Sequence, residues 1–188
     1  MKHLPLLPLI LTASLFAAKP VHDPAFDAAL KTGDNAAKAL LKTLGGNLKK
    51  HLKAGGPADA LTFCSTKAAD LTYAVDQKLG DKISVARITL KPRNPANEAQ
   101  GADRNVLEAL QTLKDNGVKL PHRFIRETAD AYVYYKPLLI NKGVCLKCHG
   151  THIDKKLKTK IDAIYAADKA TGYKMGDLRG TVKVTIEK

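Results

Sequence analysis

The chain has 188 residues, of which 45% are hydrophobic, and it carries a formal net charge of +13. This composition excludes a disordered chain, and the length predicts a single domain. A chain this basic can suggest nucleic acid as a partner, but its lysines are spread along the whole sequence with no stripe interleaved with aromatic residues, so we expect no nucleic-acid binding.

The N-terminus has the layout of a secretory signal peptide. Lys2 precedes an apolar run from Leu4 to Ala18, which is shorter than the ~20 apolar residues that a membrane span needs. We therefore predict a signal peptide at residues 1–18, a mature domain at residues 19–188 and a periplasmic location. The alternative is an uncleaved N-terminal anchor, which would be the one route to membrane association.

Two helices are predicted after the signal peptide. Residues 23–54 carry apolar side chains at three- and four-residue steps, and the sequence AGGP at residues 54–57 ends this helix. The second helix begins at Pro57 and runs to about Gly80. Its apolar stripe includes Cys64, which predicts that this side chain points inward with the core.

Strands alternate with helices in the rest of the chain. In order, the periodicity predicts a strand at residues 83–90, an ordered loop containing two prolines, a short helix ending at Asn116–Gly117, paired strands at 122–128 and 131–140, a polar helix at 155–167 and a final strand at 177–188. This order predicts an α+β fold with a mainly antiparallel sheet and its helices on one side.

The sequence GVCLKCHG at residues 143–150 contains the spacing C-x-x-C-H, formed by Cys145, Cys148 and His149. A thioredoxin-type redox pair does not need the histidine, and a zinc site needs four ligands, of which His152 is the one close addition. A c-type haem uses all three residues: each cysteine bonds a vinyl group, and the adjacent histidine ligates the iron. Because the motif follows an export signal, we favour one covalently attached haem c.

Three segments resemble a bacterial haem-c sensor-like family with a PAS-like fold, first catalogued as a domain of unknown function: RITLKPRNPAN, CLKCHG and DKATGYKMGDLRGTVKV. The resemblance extends from about Cys64 to the C-terminus. It implies a PAS-like antiparallel sheet with N-terminal helices and one haem c on Cys145 and Cys148. It also implies axial ligation by His149 and by a helical cysteine, a role that only Cys64 can fill here.

The residues alone do not decide which side chain would be the second axial ligand of the iron, at its sixth coordination position. Cys64 is the odd cysteine of an exported chain, which favours a ligand, but it could equally be a small buried hydrophobe. The rival ligands are Met175, His51, His122 and His152.

Three basic residues near the predicted strand at 83–90 are candidates to pair with the haem propionates, because buried carboxylates need neutralising. They are Arg87, Lys91 and Arg93.

These features together predict a periplasmic c-type monohaem protein for redox or small-ligand (gas) sensing, or for low-potential electron handling. Its expected partner is an acidic redox or signalling protein, because the chain is basic. The alternative is a simple electron-carrier cytochrome c that docks on acidic redox partners. A haem peroxidase or reductase is disfavoured because two protein ligands leave no open iron position, so we expect no enzymatic activity.

Overall fold

The computed structural model describes residues 23–188 and shows an α+β fold with a four-stranded antiparallel sheet in the order β1-β4-β3-β2. In chain order the elements are α1 (Pro24–Thr66), α2 (Ala68–Gln77), β1 (Ile83–Ile88), a 3₁₀ turn (Pro95–Asn97), α3 (Gly101–Asp115), β2 (Phe124–Glu127), β3 (Ala131–Leu139), α4 (Gly143–His149), α5 (Lys155–Ile164) and β4 (Leu178–Glu187). The predicted α+β class and antiparallel sheet are confirmed. The predicted signal peptide, residues 1–18, lies outside the described residues.

A kink divides α1 at the predicted position. Gly55 and Gly56 leave the helical conformation, and Gly56 has φ 69° and ψ −161°, a region that glycine alone adopts without strain. The helix then resumes at Pro57. The His51 ring bridges the kink, because its Nδ1 lies 2.9 Å from Oδ2 of Asp59 and the ring stacks on Phe63 with centroids 4.8 Å apart.

The helix after the kink is shorter than predicted. It ends at Thr66 instead of about Gly80, and α2 begins after Lys67, whose φ of −125° is not helical. Both the Ser65 and the Thr66 hydroxyls donate to the carbonyl oxygen of Thr62, at 3.0 and 2.8 Å. Such bonds bend helices, and hydrophobic periodicity does not register them.

One face of the sheet packs against α1 and α2. The largest buried side chains of this layer include Leu40 of α1, Tyr134 of β3 and Val184 of β4. Tyr134 donates a hydrogen bond to Oδ1 of Asp34 at 2.7 Å. Gly33 lies directly over the Tyr134 ring, so any larger residue there would collide with it.

The opposite face of the sheet packs against α3, so the predicted placement of all helices on one side is wrong. Neighbouring strand residues point to opposite faces, and Tyr135, next to Tyr134, donates to Oδ1 of Asp103 in α3 at 2.6 Å. Lys183 of β4 donates to Oδ2 of the same carboxylate at 2.6 Å. Both layers of helices are therefore tied to the central strands β3 and β4. Within residues 23–188, no helix has the length and apolar character of a membrane span.

Candidate functional site

A cavity of about 290 Å³ opens where the second part of α1 meets β1, the end of β3 and α4. Its walls are largely aliphatic, with Leu61 and Leu138 among the lining residues. All four site residues predicted from the sequence, Cys64, Cys145, Cys148 and His149, line this one cavity. The fold thus brings the C-x-x-C-H motif and the distant cysteine to the same place.

The motif forms the short helix α4 directly after β3. The two thiols lie one helical turn apart, and neither forms a disulfide. Cys145 packs on a small cluster formed by Ile140, Ala170 and Tyr173, whereas Cys148 packs on the cluster that contains Leu61. Each thiol is thus held on the cavity wall by different neighbours.

His149 is held as a neutral imidazole with one free nitrogen. Its Nδ1 lies 2.8 Å from the carbonyl oxygen of Ala170, and because a carbonyl only accepts, Nδ1 must carry the proton. Nε2 is then left as the unprotonated nitrogen, which is the form that binds a metal. Burial, helped by the nearby cations Arg179 and Arg93, lowers the pKa of His149 to about 3. The ring edge also packs against Tyr173.

Cys64 faces inward as predicted, but it faces the cavity instead of a packed core. Its side chain is reached from the cavity and counts as exposed, so the prediction that it packs within the core is wrong. The reason is that apolar periodicity identifies the inward side of a helix without showing whether that side is filled. The protein around the cavity partly desolvates the Cys64 thiol and so raises its pKa, although the positive charge of Arg87 opposes this shift.

The rival candidates for the sixth position do not line the cavity. Met175 is 54% exposed, His51 is engaged with Asp59, and the exposed His152 lies 2.9 Å from the Thr151 hydroxyl. His122 is exposed at the surface. Among residues 23–188, no cluster of three or more histidine, cysteine or acidic side chains is placed to hold a metal ion, so the zinc alternative gains no support.

The predicted basic residues have three different environments. Arg87 lines the cavity, and its Nε is buried without a hydrogen-bond partner among the described residues. Arg93 also lines the cavity but is paired with Asp168. Lys91 is not part of the lining: its Nζ donates to the carbonyl oxygen of Thr171 at 2.8 Å and lies over the Tyr173 ring.

Sequence reasoning missed Arg179 and Asp168. Arg179 lines the cavity and donates to Oγ1 of Thr89 at 2.9 Å and to the carbonyl oxygen of Lys91 at 3.2 Å. Burial lowers its pKa. Both residues lie inside the third resembling segment, at residues 168–184, but no spacing rule distinguishes them there from ordinary charged residues.

Comparisons with known proteins agree with this fold. A family model described as Tll0287-like matches residues 22–187. The crystal structure of the cyanobacterial heme-protein Tll0287 is similar to this chain with a TM-score of 0.59 and 22% sequence identity, covering 89% of this chain and 98% of that one. No curated protein matches the chain.

Proposed function

Because the chain belongs to the Tll0287-like family, we propose that it is a periplasmic protein carrying one covalently attached haem c on a PAS-like sheet. Its role in this proposal is redox or small-ligand (gas) sensing, or low-potential electron handling. The observation that carries the proposal is the convergence of Cys64, Cys145, Cys148 and His149 on a single cavity.

The residues of the cavity fit a haem group. Two unpaired thiols on one helix turn suit two thioether bonds, and the free Nε2 of His149 suits the iron. The aliphatic walls suit the porphyrin ring. The Arg87 guanidinium, whose buried Nε has no hydrogen-bond partner among the described residues, suits a propionate, because a buried cation is stabilised by an anion. When bound, the haem supplies an iron centre that exchanges one electron.

In this proposal Cys64 would be the second protein ligand of the iron. Support comes from its position, since it lines the cavity and none of the rival candidates does. A thiolate donates electron density and therefore favours the ferric state, giving a lower potential than methionine would. In the sensing role, Cys64 would be the iron ligand that a small molecule replaces, and the released thiolate would take up a proton from solvent.

A simple electron carrier is the second candidate function. The observation that favours it is the exposed apolar rim of the cavity, where Leu48, Leu139 and Val144 are each 36–39% exposed. A haem edge at such a rim would be accessible to an acidic redox partner attracted by the basic surface. Neither candidate is an enzyme, because both keep two protein ligands on the ferric iron.

Absorption and EPR spectra of the purified exported protein test the proposal in both oxidation states. We expect a c-type haem spectrum and a low-spin ferric EPR signal with axial sulfur. Stopped-flow reduction then separates the two roles, because a sensor changes ligation on reduction and a carrier exchanges electrons quickly with no ligand change. Protein that matures without haem contradicts both roles.

A further inference from the structure

We propose that Arg93 and Asp168 form a positioning pair that fixes the orientation and tautomer of His149 through the carbonyl group of Ala170. The haem-dependent part of this inference rests on the proposed function. Neither residue touches the iron in this proposal; both act through the loop that follows α5.

The pair is a buried, two-point ion pair. Arg93 Nε lies 3.2 Å from Oδ1 of Asp168, and its Nη2 lies 3.0 Å from Oδ2. The side chains are only 10% and 3% exposed. A planar guanidinium and a carboxylate joined at two points have a fixed mutual orientation, which a lysine in place of the arginine cannot reproduce.

Both partners also hold backbone groups beside His149. Nη2 of Arg93 donates to the carbonyl oxygen of Cys148 at 2.7 Å and lies 3.4 Å from that of Ala170. Oδ1 of Asp168 accepts from the amide of Ala170 at 2.8 Å. Hydrogen bonds thereby join the pair to the peptide groups on both sides of Ala170. The same guanidinium is also hydrogen-bonded to α4, through the carbonyl group of Cys148.

The fixed carbonyl of Ala170 is the one that accepts the Nδ1 proton of His149. A hydrogen bond of this kind sets which ring nitrogen is free and makes the imidazole a stronger donor to a metal. Arg93 is therefore assigned to the histidine side of the site and not to a propionate. Arg87, with its unpartnered Nε, stays the candidate for the propionate.

The loop has other attachments that do not depend on the pair. The amide of Tyr173 donates to the carbonyl oxygen of His149 at 2.9 Å, and the amide of Gly172 donates to that of Gly150 at 3.0 Å. The amide of Lys169 donates to the carbonyl oxygen of Pro92 at 2.9 Å. These bonds should keep the loop in place when the pair is weakened, so that an effect on His149 can be measured in folded protein.

The test uses Asp168→Asn in the exported, haem-loaded protein, with the exposed neighbour Lys169→Ala as the control. Asparagine keeps the size of the side chain but weakens its bonds to Arg93. We expect the single set of ferric g values of the wild type to broaden or split, because the imidazole is no longer held in one orientation. We also expect the reduction potential to rise, because a less basic imidazole stabilises the ferric iron less. The control should change neither.

Arg93→Lys should reproduce both changes, since an ammonium group cannot bridge the carboxylate and the two carbonyls together. Should Asp168→Asn fail to accumulate, Asp168→Glu keeps the charge but displaces the carboxylate, and the same shifts are expected at smaller size. A wild type without covalent haem contradicts the proposed function. A normal wild-type spectrum with unchanged g values and potential in the variants overturns this inference alone.

Discussion

At the scale of the single residue, the role of Cys64 decides whether the proposed haem has a sulfur ligand. Its thiol lines the cavity together with Cys148 of the motif, and the negative charge of a Cys148 thiolate is one of the influences that raise the pKa of Cys64, after burial. A thiol that serves only as packing would be expected to have apolar side chains filling the space around it. Cys64 instead borders open space, which is the arrangement a ligand requires.

Replacing Cys64 with alanine should change the ferric absorption and EPR spectra and raise the reduction potential, because a thiolate stabilises ferric iron. The measurement is a redox titration with spectra at each step. Met175→Ala is the matched control, since Met175 is 54% exposed and does not line the cavity. Unchanged spectra and potential in Cys64→Ala would show that the sulfur is not a ligand.

At the scale of the element, the kink in α1 decides where Cys64 lies. Residues of α1 up to Leu44 pack in the core beside the sheet, and the helix reaches the cavity from Leu48 onward, with Cys64 lining it after the kink. His51 bridges the two parts of the helix through Asp59 and Phe63. A straight helix would carry the second part in a different direction. The conformation of Gly56 is therefore needed both for the kink in α1 and for the position of Cys64 in the cavity.

Gly56→Ala should lower the free energy of unfolding by about 1–3 kcal/mol, because the φ of 69° and ψ of −161° at this position strain any side chain. Chemical denaturation measures the change. Gly46→Ala is the control within the same helix: Gly46 is helical and has open space around it, so alanine should stabilise by about 0.5–1 kcal/mol. Equal effects of the two substitutions would contradict this account of the kink.

The link between α3 and the sheet predicts a dependence on pH. Burial disfavours the charged form of Asp103, but hydrogen bonds from Lys183 and Tyr135 outweigh this effect and hold the pKa of the carboxyl below its ordinary value. The unfolded state therefore binds the proton more readily. The resulting stability is complete above an unfolded pKa of about 3.9 and is lost as the pH falls through the folded pKa.

Asp103→Asn should accordingly lower the free energy of unfolding by about 1–3 kcal/mol at neutral pH, through the loss of two charge-assisted hydrogen bonds. The difference from the wild type should shrink below about pH 4. Denaturation curves across pH measure it, with the exposed Asp81→Asn as the control. A difference that stays constant down to low pH would contradict the assigned carboxylate role.

Periodicity and spacing predicted most elements, because amphipathic patterns follow directly from burial on one face. The paired strands β2 and β3, the end of α3 just before Asn116 and the break at Gly55 and Gly56 all follow from local sequence. The break at Lys67 and the placement of α3 on the far face were not predictable in this way. The break at Lys67 depends on hydrogen bonds from two hydroxyl groups to one carbonyl oxygen. The placement of α3 depends on which face of the sheet the chain crosses after β1.

The cysteines and the histidine of the site could be named from the sequence because their residue types and spacing carry the chemistry. The pairing of Arg93 with Asp168 could not, because residues 75 positions apart meet only through the fold. Arg179 was missed for the same reason. Conversely, Lys91 looked equivalent to its neighbours in the sequence, but its ammonium group is directed to Thr171 and Tyr173.

At the scale of the whole molecule, a strongly basic chain has a cavity with an exposed apolar rim. A net charge of +13 attracts acidic proteins over long distances, and this attraction weakens as salt screens it. An electron partner would benefit from the attraction in the encounter, whereas an uncharged small reductant would not.

Reduction by an acidic electron-donor protein should therefore slow markedly as ionic strength rises from about 0.01 to 0.15 M, over which the Debye length falls from about 30 to about 8 Å. Stopped-flow spectroscopy measures this rate. The rate with an uncharged small reductant, used as the control, should stay nearly constant. A rate with the acidic donor that does not depend on salt would contradict docking by the basic surface.

The central claim is that a haem is bonded to both cysteines of α4, and the mass of the exported protein after denaturation tests it most directly. Alkylation of the denatured protein before mass spectrometry counts the thiols that remain free. The account predicts the mass of the mature chain plus one haem, with Cys64 alone alkylated. A colourless protein in which Cys64, Cys145 and Cys148 are all alkylated would contradict it.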